Sequence, residues 1–245
     1  MARFFVTRKS ITHQRVTVEG PELDHLRRVL RLRPGDPIVV FDDAGWEHEA
    51  VIRSLSAQAA EIEIARSFQA ERESSLKLTL AVGLTKGEKM DFVVEKATEL
   101  GVQAIVPFVS SYTVPKLDQR KIEKRGARWQ KIALAAAKQS GRTRIPEIFP
   151  FSGFEDLVEQ TTGSLNLLFW EKEAQQTLKQ VHATDPDARS ILLVIGPEGG
   201  LSDQEAGLAQ RHGFKPIRLG RRILRAETAA VVAASLVQYL WGDLG

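Results

Sequence analysis

The feature that most restricts the fold of this chain is a change in its apolar pattern near residue 70. Before it, short alternating runs of apolar and polar residues are broken by turn-forming segments such as residues 33–36, which predicts a small β-barrel. After it, continuous apolar runs alternate with amphipathic stretches, which predicts parallel strands joined by helices. The polar stretch 67–75 has no apolar period and is predicted as a linker. The pattern therefore indicates an α/β protein with two domains, residues 1–70 and 75–245.

Apolar periodicity and capping residues set the expected elements. In the first domain we predict strands at residues 3–7, 15–18, 37–41, 47–55 and 59–65 and one helix at 21–32. In the second we predict strands at 76–82, 104–109, 165–170, 191–195 and 215–219, and helices at 88–100, 118–140, 174–181, 203–212 and 226–241.

Missing residue types and motifs exclude several classes of protein. The chain has no cysteine, which excludes disulfides, thiolate zinc sites and iron-sulfur clusters. No apolar run approaches the roughly 20 residues that span a bilayer. The five histidines lack metal-ligand spacing, and the chain contains no GxGxxG after its first parallel strand, no P-loop and no GxSxG motif. We therefore expect a cytoplasmic protein with no metal and no membrane partner.

Positive charge is concentrated in one stretch of the second domain. Residues 116–144 contain ten basic and only two acidic side chains. Such a stripe is typical of a surface that contacts nucleic-acid phosphates, because neutralised phosphates release counterions. The alternative is a solvated helix face that binds nothing.

Three loops follow predicted parallel strands, where ligands of open α/β sheets bind. They are GLTKG at residues 83–87, GPEGG at 196–200 and LGRRILRAET at 219–228. The glycines of the second loop let a ligand approach backbone amides, although a tight turn without a ligand has the same composition. Ser202 and Glu205 predict a capping box for the helix that follows this loop.

The third loop carries three arginines next to a predicted helix start. Arg221, Arg222 and Arg225 there oppose the helix dipole, which suggests an anionic partner or a role for the guanidinium. Glu227 and Thr228 at the same start are also explained as residues that stabilise the first helical turn.

Four separated motifs, in this order, resemble one known family. They are GEKMDFVVEKATELGV, WQKIALAAAKQSGRTRIPEI, IGPEGGLS and LGRRILRAETAAVVAA, and they are similar to those of the bacterial small-subunit ribosomal RNA uridine-N3 methyltransferase family, which belongs to the SPOUT class. The resemblance covers essentially the whole chain. It implies an N-terminal PUA-like β-barrel that binds RNA, followed by an α/β domain with a deep trefoil knot. It also implies a homodimer that uses S-adenosylmethionine (SAM).

The resemblance further implies which residues bind and react. The expected SAM-binding residues are Trp170, Glu171, Gly196, Glu198, Gly199, Gly200, Leu219, Gly220, Ile223, Leu224, Arg225 and Ala226. The chain departs from the family pattern at Ala226, where a threonine is expected. The expected substrate is 16S ribosomal RNA or the small ribosomal subunit, with phosphate contacts from Arg3, Lys86, Lys89, Arg125, Arg128, Arg142 and Arg144.

The chemistry of the implied reaction suggests roles for the charged residues. Methylation at uridine N3 requires the loss of the imide proton, so the site must accept that proton or stabilise the anion that forms. We expect Arg225 to stabilise the anion or orient the base, and Glu198 or Glu227 to accept the proton. Three alternatives remain: a non-catalytic RNA-binding protein, a related SPOUT enzyme with another RNA target, and a phosphate-binding metabolic enzyme, which the missing P-loop lysine disfavours.

Overall fold

A computed structural model describes residues 1–113, 119–160, 165–172 and 176–245. The chain forms two compact units. Met1–Glu73 and Ala137–Ile145 make the first unit, and Ser74–Ala136 and Pro146–Gly245 make the second. Residues 137–145 thus belong to the first unit, although the sequence places them within the predicted second domain. None of the described helices is long and apolar enough to cross a membrane.

The first unit contains a five-stranded sheet with the order β1-β3-β4-β5-β2. Its strands are β1 (Ala2–Phe5), β2 (Arg15–Val18), β3 (Pro37–Phe41), β4 (Trp46–Leu55) and β5 (Ala60–Gln69). The β1–β3 pair is parallel and the other pairs are antiparallel. Alternate residues of these strands form a buried core that includes Phe4, Val16, Ile38 and Ile62. The five predicted strands are confirmed, with small shifts at their ends.

The predicted helix at residues 21–32 is shorter and less regular in the structure. Helix α1 (Gly20–Asp24) passes directly into a π-helical turn at His25–Val29. Arg31 has a φ of +53°, a left-handed conformation that ends helical geometry. The helical spacing of Leu23, Leu26, Val29 and Leu30 predicts one buried face; Leu23 and Leu26 are buried, whereas Val29 and Leu30 are exposed.

The linker predicted at residues 67–75 is structured at both ends. Strand β5 extends to Gln69, because Ser67–Gln69 pair with the first residues of β4. Glu73 accepts hydrogen bonds from the guanidinium of Arg142 and from the backbone amides of Thr143 and Arg144, at 2.8–3.1 Å. The polarity that suggested a linker therefore reflects ion pairing inside the first unit.

The second unit contains a seven-stranded sheet in which every strand pair is parallel. Its strands are β6 (Lys77–Gly83), β7 (Ala104–Val109), β8 (Glu147–Ile148), β9 (Ser152–Gly153), β10 (Leu165–Phe169), β11 (Ser190–Ile195) and β12 (Lys215–Ile217). The order is β12-β10-β11-β6-β7-β8, and β9 also pairs with β7. The five predicted strands are confirmed, whereas the two-residue strands β8 and β9 are too short to be recognised by pattern. The trefoil knot stays a prediction of the resemblance.

In the described ranges, five helices connect these strands and a sixth, α7, follows the last strand. They are α2 (Lys89–Glu99), α3 (Gln119–Ser140), α4 (Phe154–Glu159), α5 (Leu178–Thr184), α6 (Asp203–Arg211) and α7 (Ala226–Trp241). The sequence missed α4. The helix predicted at 174–181 begins instead at Leu178, where the Thr177 side chain caps it, and residues 174–175 lie outside the described part of the chain.

Both faces of the parallel sheet are covered. Ile191–Ile195 of β11 are buried at every position, although successive side chains point to opposite faces. Leu192 and Val194 share a core cluster with residues of α4 and α6, while α7 packs on β6 and β11 and against α2. Because the strands are parallel, the loops after β6, β10, β11 and β12 emerge at one edge.

Candidate functional site

A cavity of about 730 Å³ lies at the carboxyl edge of the parallel sheet. Segments that follow β10, β11 and β12 line it, together with the first residues of α2 and α7. Its volume falls within the range of about 300–1,000 Å³ usual for small-molecule sites. Parallel topology thus brings together loops that are far apart in the sequence.

The cavity contains all of the residues expected to bind a cofactor. These twelve lining residues are Trp170, Glu171, Gly196, Glu198, Gly199, Gly200, Leu219, Gly220, Ile223, Leu224, Arg225 and Ala226. Of the residues expected to take part in the reaction, Arg225 and Glu198 line the cavity directly. Glu227 is connected to it through Lys89, which also lines it.

Glycine is required in the GPEGG turn because of its left-handed backbone conformation. Gly200 has a φ of +72°, and a Cβ there would lie 2.8 Å from Oε1 of Glu171. The turn is anchored downstream by the predicted capping box at Ser202 and Glu205, which is confirmed. These contacts fix the turn so that its backbone faces the cavity.

Glu205 also reaches a second loop of the same unit. One carboxylate oxygen accepts the amide hydrogen of Ser111 at 2.8 Å, and the other accepts that of Ser202 at 2.8 Å. Burial opposes the charge of Glu205, but these hydrogen bonds outweigh it and hold the pKa of the carboxyl below its ordinary value. Glu205 is therefore a structural carboxylate.

Two polar atoms beside the cavity lack hydrogen-bond partners within the described residues. One is Nε1 of Trp170, which is buried although the residue lines the cavity. The other is Oε2 of Glu227, buried at the start of α7. A buried donor and a buried acceptor that remain unsatisfied are costly, and of the two residues only Trp170 lines the cavity, where a polar ligand would approach its ring.

The three arginines of the last loop are all exposed, and Arg222 directly precedes an exposed apolar residue, Ile223. No acidic side chain in the described ranges pairs with Arg221, Arg222 or Arg225. Arg225 is the residue immediately before α7 and has an extended backbone. An unpaired guanidinium at this position is available to an anionic ligand or a developing negative charge.

A small charge network crosses the mouth of the cavity. The ammonium Nζ of Lys89 lies 3.0 Å from Oε1 of Glu198 and 3.8 Å from Oε2 of Glu227. Glu198 Oε1 also accepts the backbone amide hydrogen of Lys86 at 3.0 Å. Partial burial opposes the charge of Glu198, but the Lys86 amide and the Lys89 ammonium prevail and lower its pKa. Glu198 is thus a weakly basic, already paired carboxylate.

The cavity suits SAM by its size and its chemistry. SAM carries an adenine, a ribose, an amino-acid group and a cationic sulfur. Backbone groups of the GPEGG turn and of the last loop can meet the polar edges of such a molecule, and Trp170 Nε1 offers a buried donor. In the described ranges, no three His, Asp or Glu side chains converge as metal ligands do.

Two residues expected to contact RNA phosphates are already engaged within the first unit. Arg142 is 4% exposed and pairs with Glu73 at 2.8 Å. The guanidinium of Arg3 pairs with Glu47 at 2.8 Å and donates to the carbonyl groups of Gly141 and Arg142. A phosphate would have to break these interactions, which argues against phosphate contacts at Arg3 and Arg142.

The other residues expected to contact RNA differ in their availability. Lys86 and Arg144 are exposed and Arg125 is half-exposed. Arg128 is exposed but pairs with Glu88 and Asp91, and these two carboxylates offset its positive charge at the surface. Lys89 lines the cavity instead of a free surface. Sequence reasoning missed Lys172 and Arg218 in the lining, because neither falls in a glycine-rich or arginine-rich motif.

Two family models match most of the chain. A model described as RNA methyltransferase domain matches residues 72–238, and one described as RNA methyltransferase PUA domain matches residues 18–65. A relative from Bacillus subtilis named ribosomal RNA small subunit methyltransferase E is 31% identical, over 98% of this chain and 96% of its own. One of the same name from Synechocystis is 35% identical, over 97% and 77%.

Solved structures agree with the sequence matches. A methyltransferase from Legionella pneumophila in complex with SAM superposes with a TM-score of 0.92 at 33% identity, covering 99% of this chain and 98% of the other. A ribosomal RNA small subunit methyltransferase E from Neisseria gonorrhoeae, bound to SAM, gives a TM-score of 0.90 at 35% identity with complete coverage of both chains. The predicted fold class, apart from the knot, is confirmed by these matches.

Proposed function

Because the chain belongs to the ribosomal RNA small subunit methyltransferase E family of RNA methyltransferases, we propose that it transfers a methyl group from SAM to N3 of a uridine in 16S ribosomal RNA. The observation that carries this proposal is the 730 Å³ cavity, which gathers all twelve residues expected to bind SAM and presents Arg225 in its lining. The proposal places the protein in the cytoplasm, where its RNA substrate is made.

The residues of this chain hold the donor and exclude water from it. The GPEGG turn and the last loop present backbone groups, and the side chains of Trp170, Ile223 and Leu224 provide apolar surface. When bound, SAM supplies an electrophilic methyl group on a sulfonium. Displacement requires the nucleophile, the methyl carbon and the sulfur to be in line, so rigid positioning by the turns supplies much of the acceleration.

We assign the activation of the uridine to Arg225. Loss of the N3 proton spreads negative charge over N3 and the two neighbouring carbonyl oxygens, and a guanidinium can donate two hydrogen bonds to such an edge. The lowered pKa of Glu198 makes this carboxylate a poor proton acceptor, because a general base works best when its pKa lies near the operating pH. Glu227, whose Oε2 has no hydrogen-bond partner within the described residues, is the better candidate for that proton.

Substitution of Arg225 tests this assignment. We expect Arg225→Ala to lower the single-turnover rate by about 10²–10³-fold, as does removal of one donor to a developing oxyanion, while SAM still binds by calorimetry. Arg211→Ala, an exposed arginine at the end of α6, is the matched control and should react at the normal rate. Undiminished turnover by Arg225→Ala would refute the role. SAM binding by the wild type without methyl transfer to 16S RNA would favour a related enzyme with another target.

The RNA must present an unpaired or flipped uridine, because Watson–Crick pairing occupies the N3 edge. We therefore propose that the protein holds the RNA mainly through its backbone. The exposed cations of α3, Lys124 and Lys131, together with Lys86, Arg125 and Arg144, are the residues available for phosphate contacts. All of these residues except Lys86 belong to the basic stretch 116–144 of the sequence, from which the buried Arg142 is left out.

A homodimer is part of the same proposal. Helix α7 packs on the sheet with one face but leaves Leu236 40% exposed and Tyr239 62% exposed, and Phe92 on the neighbouring α2 is 45% exposed. Exposed apolar residues on two packed helices are typical of an interface. Sedimentation should report a dimer for the wild type and a monomer for Tyr239→Glu with Leu236→Glu. An unchanged sedimentation coefficient would place the interface elsewhere.

A further inference from the structure

Lys89 occupies a position that helix physics does not favour. It is the first residue of α2, where the helix dipole is positive and repels a cation. Its Nζ nevertheless has two carboxylates within 4 Å, Glu198 from the GPEGG turn and Glu227 from the start of α7. These two carboxylates come from different loops, so a single ammonium links three segments that surround the cavity.

The same contacts argue against a phosphate contact. The Lys89 side chain is 33% exposed, and its charge is balanced by carboxylates on two sides. A phosphate approaching it would meet the negative field of Glu198 and Glu227. Lys86 differs, because its side chain is exposed and only its backbone amide contacts Glu198.

We propose that Lys89 is a positioning residue for the donor cavity and not an RNA contact. It fixes the position of the GPEGG turn relative to the start of α7. It also keeps Glu198 ionised, so that this carboxylate accepts a strong hydrogen bond from the backbone amide of Lys86. Without the ammonium, Glu198 and Glu227 would repel each other, and burial would raise the pKa of Glu198. This inference rests on the proposed function, since the cavity it organises is the one assigned to SAM.

A matched pair of lysine substitutions tests the inference. Lys89→Gln and Lys86→Gln remove the same charge three residues apart, but only the first removes a hydrogen bond to Glu198. We expect Lys89→Gln to weaken SAM binding by about tenfold, the order of a partly exposed charge-assisted hydrogen bond. The salt dependence of RNA binding should not change. Lys86→Gln should leave SAM affinity unchanged and make the salt dependence shallower.

The pH profile separates positioning from general destabilisation. In Lys89→Gln the pKa of Glu198 rises, so protonation on lowering the pH weakens the hydrogen bond from the Lys86 amide, and SAM affinity should fall as the pH is lowered. In the wild type that fall should begin at lower pH, because the pKa of Glu198 is held down. Lys89→Arg, which preserves the charge, should restore both the affinity and the profile.

Two outcomes would overturn the inference. One is that Lys89→Gln binds SAM normally but shows a shallower salt dependence with RNA. The other is that its SAM affinity falls equally at every pH and Lys89→Arg does not restore it. Failure of the proposed function would look different, because the wild type itself would then not bind SAM or not methylate 16S RNA.

Discussion

Substitution of Gly83 by alanine tests how closely the end of strand β6 packs against a loop of the donor cavity. Gly83 is the last residue of β6, and a Cβ built there lies 2.4 Å from Cδ and from the backbone nitrogen of Pro197. Ordinary van der Waals contact begins at 3.4 Å, so the GPEGG turn would have to move by about 1 Å. The atoms in the way belong to a proline ring and to the backbone, and neither can rotate aside.

The displacement sets the expected magnitude. Overpacking of this kind costs about 1–3 kcal/mol, so Gly83→Ala should lower the free energy of unfolding by about 2 kcal/mol. A misplacement of about 1 Å in a positioned site can cost about 10²-fold in rate. Methyl transfer should therefore fall by about two orders of magnitude, even under conditions in which the variant is folded.

Urea denaturation and single-turnover methyl transfer measure the two effects. Gly126→Ala is the control, because Gly126 lies in α3 with no atom within 4 Å of its added Cβ. Alanine should stabilise that helix by up to about 1 kcal/mol and leave methyl transfer unchanged. A Gly83→Ala variant that unfolds and reacts like the wild type would refute the packing argument.

Three further predictions concern stability and RNA binding. Glu205→Gln should lower the free energy of unfolding, measured by urea denaturation, by about 1–2 kcal/mol at pH 7. Because the folded-state pKa of Glu205 is held below its ordinary value of 4.5, the wild type should keep this advantage above pH 4.5 and lose it as the pH falls through the folded-state pKa. Glu73→Ala removes the carboxylate that pairs with buried Arg142 and should cost about 3–5 kcal/mol; exposed Glu71→Ala is the control, and equal unfolding curves would contradict the expectation. Lys131→Gln should reduce the log–log salt slope of RNA binding by about 0.8, and an unchanged slope in filter binding would remove α3 from the interface.

Most strands and helices could be predicted because each has its own pattern of apolar and polar residues along the chain. The alternation in 15–18, the apolar run of β11 and the spacing in α7 each reflect which faces must be buried, and this depends on neighbours along the chain. The cavity residues followed from motifs and from the resemblance. Short strands such as β8 carry too few residues for a pattern, and the apolar spacing of residues 21–32 does not distinguish an α-helix from the π-helical turn at His25–Val29.

The sequence by itself determined the longer strands and helices, the change from barrel-like to parallel pattern and the loops that carry chemistry. Only the tertiary structure decided which charges remain available. Arg3, Arg142 and Lys89 look like free cations in the sequence, yet each finds its carboxylate at a distance along the chain, Glu47, Glu73 and Glu198 respectively. Ion pairing acts through space over a few ångströms, so its partners follow from the folded arrangement of the strands and loops and cannot be read from local sequence.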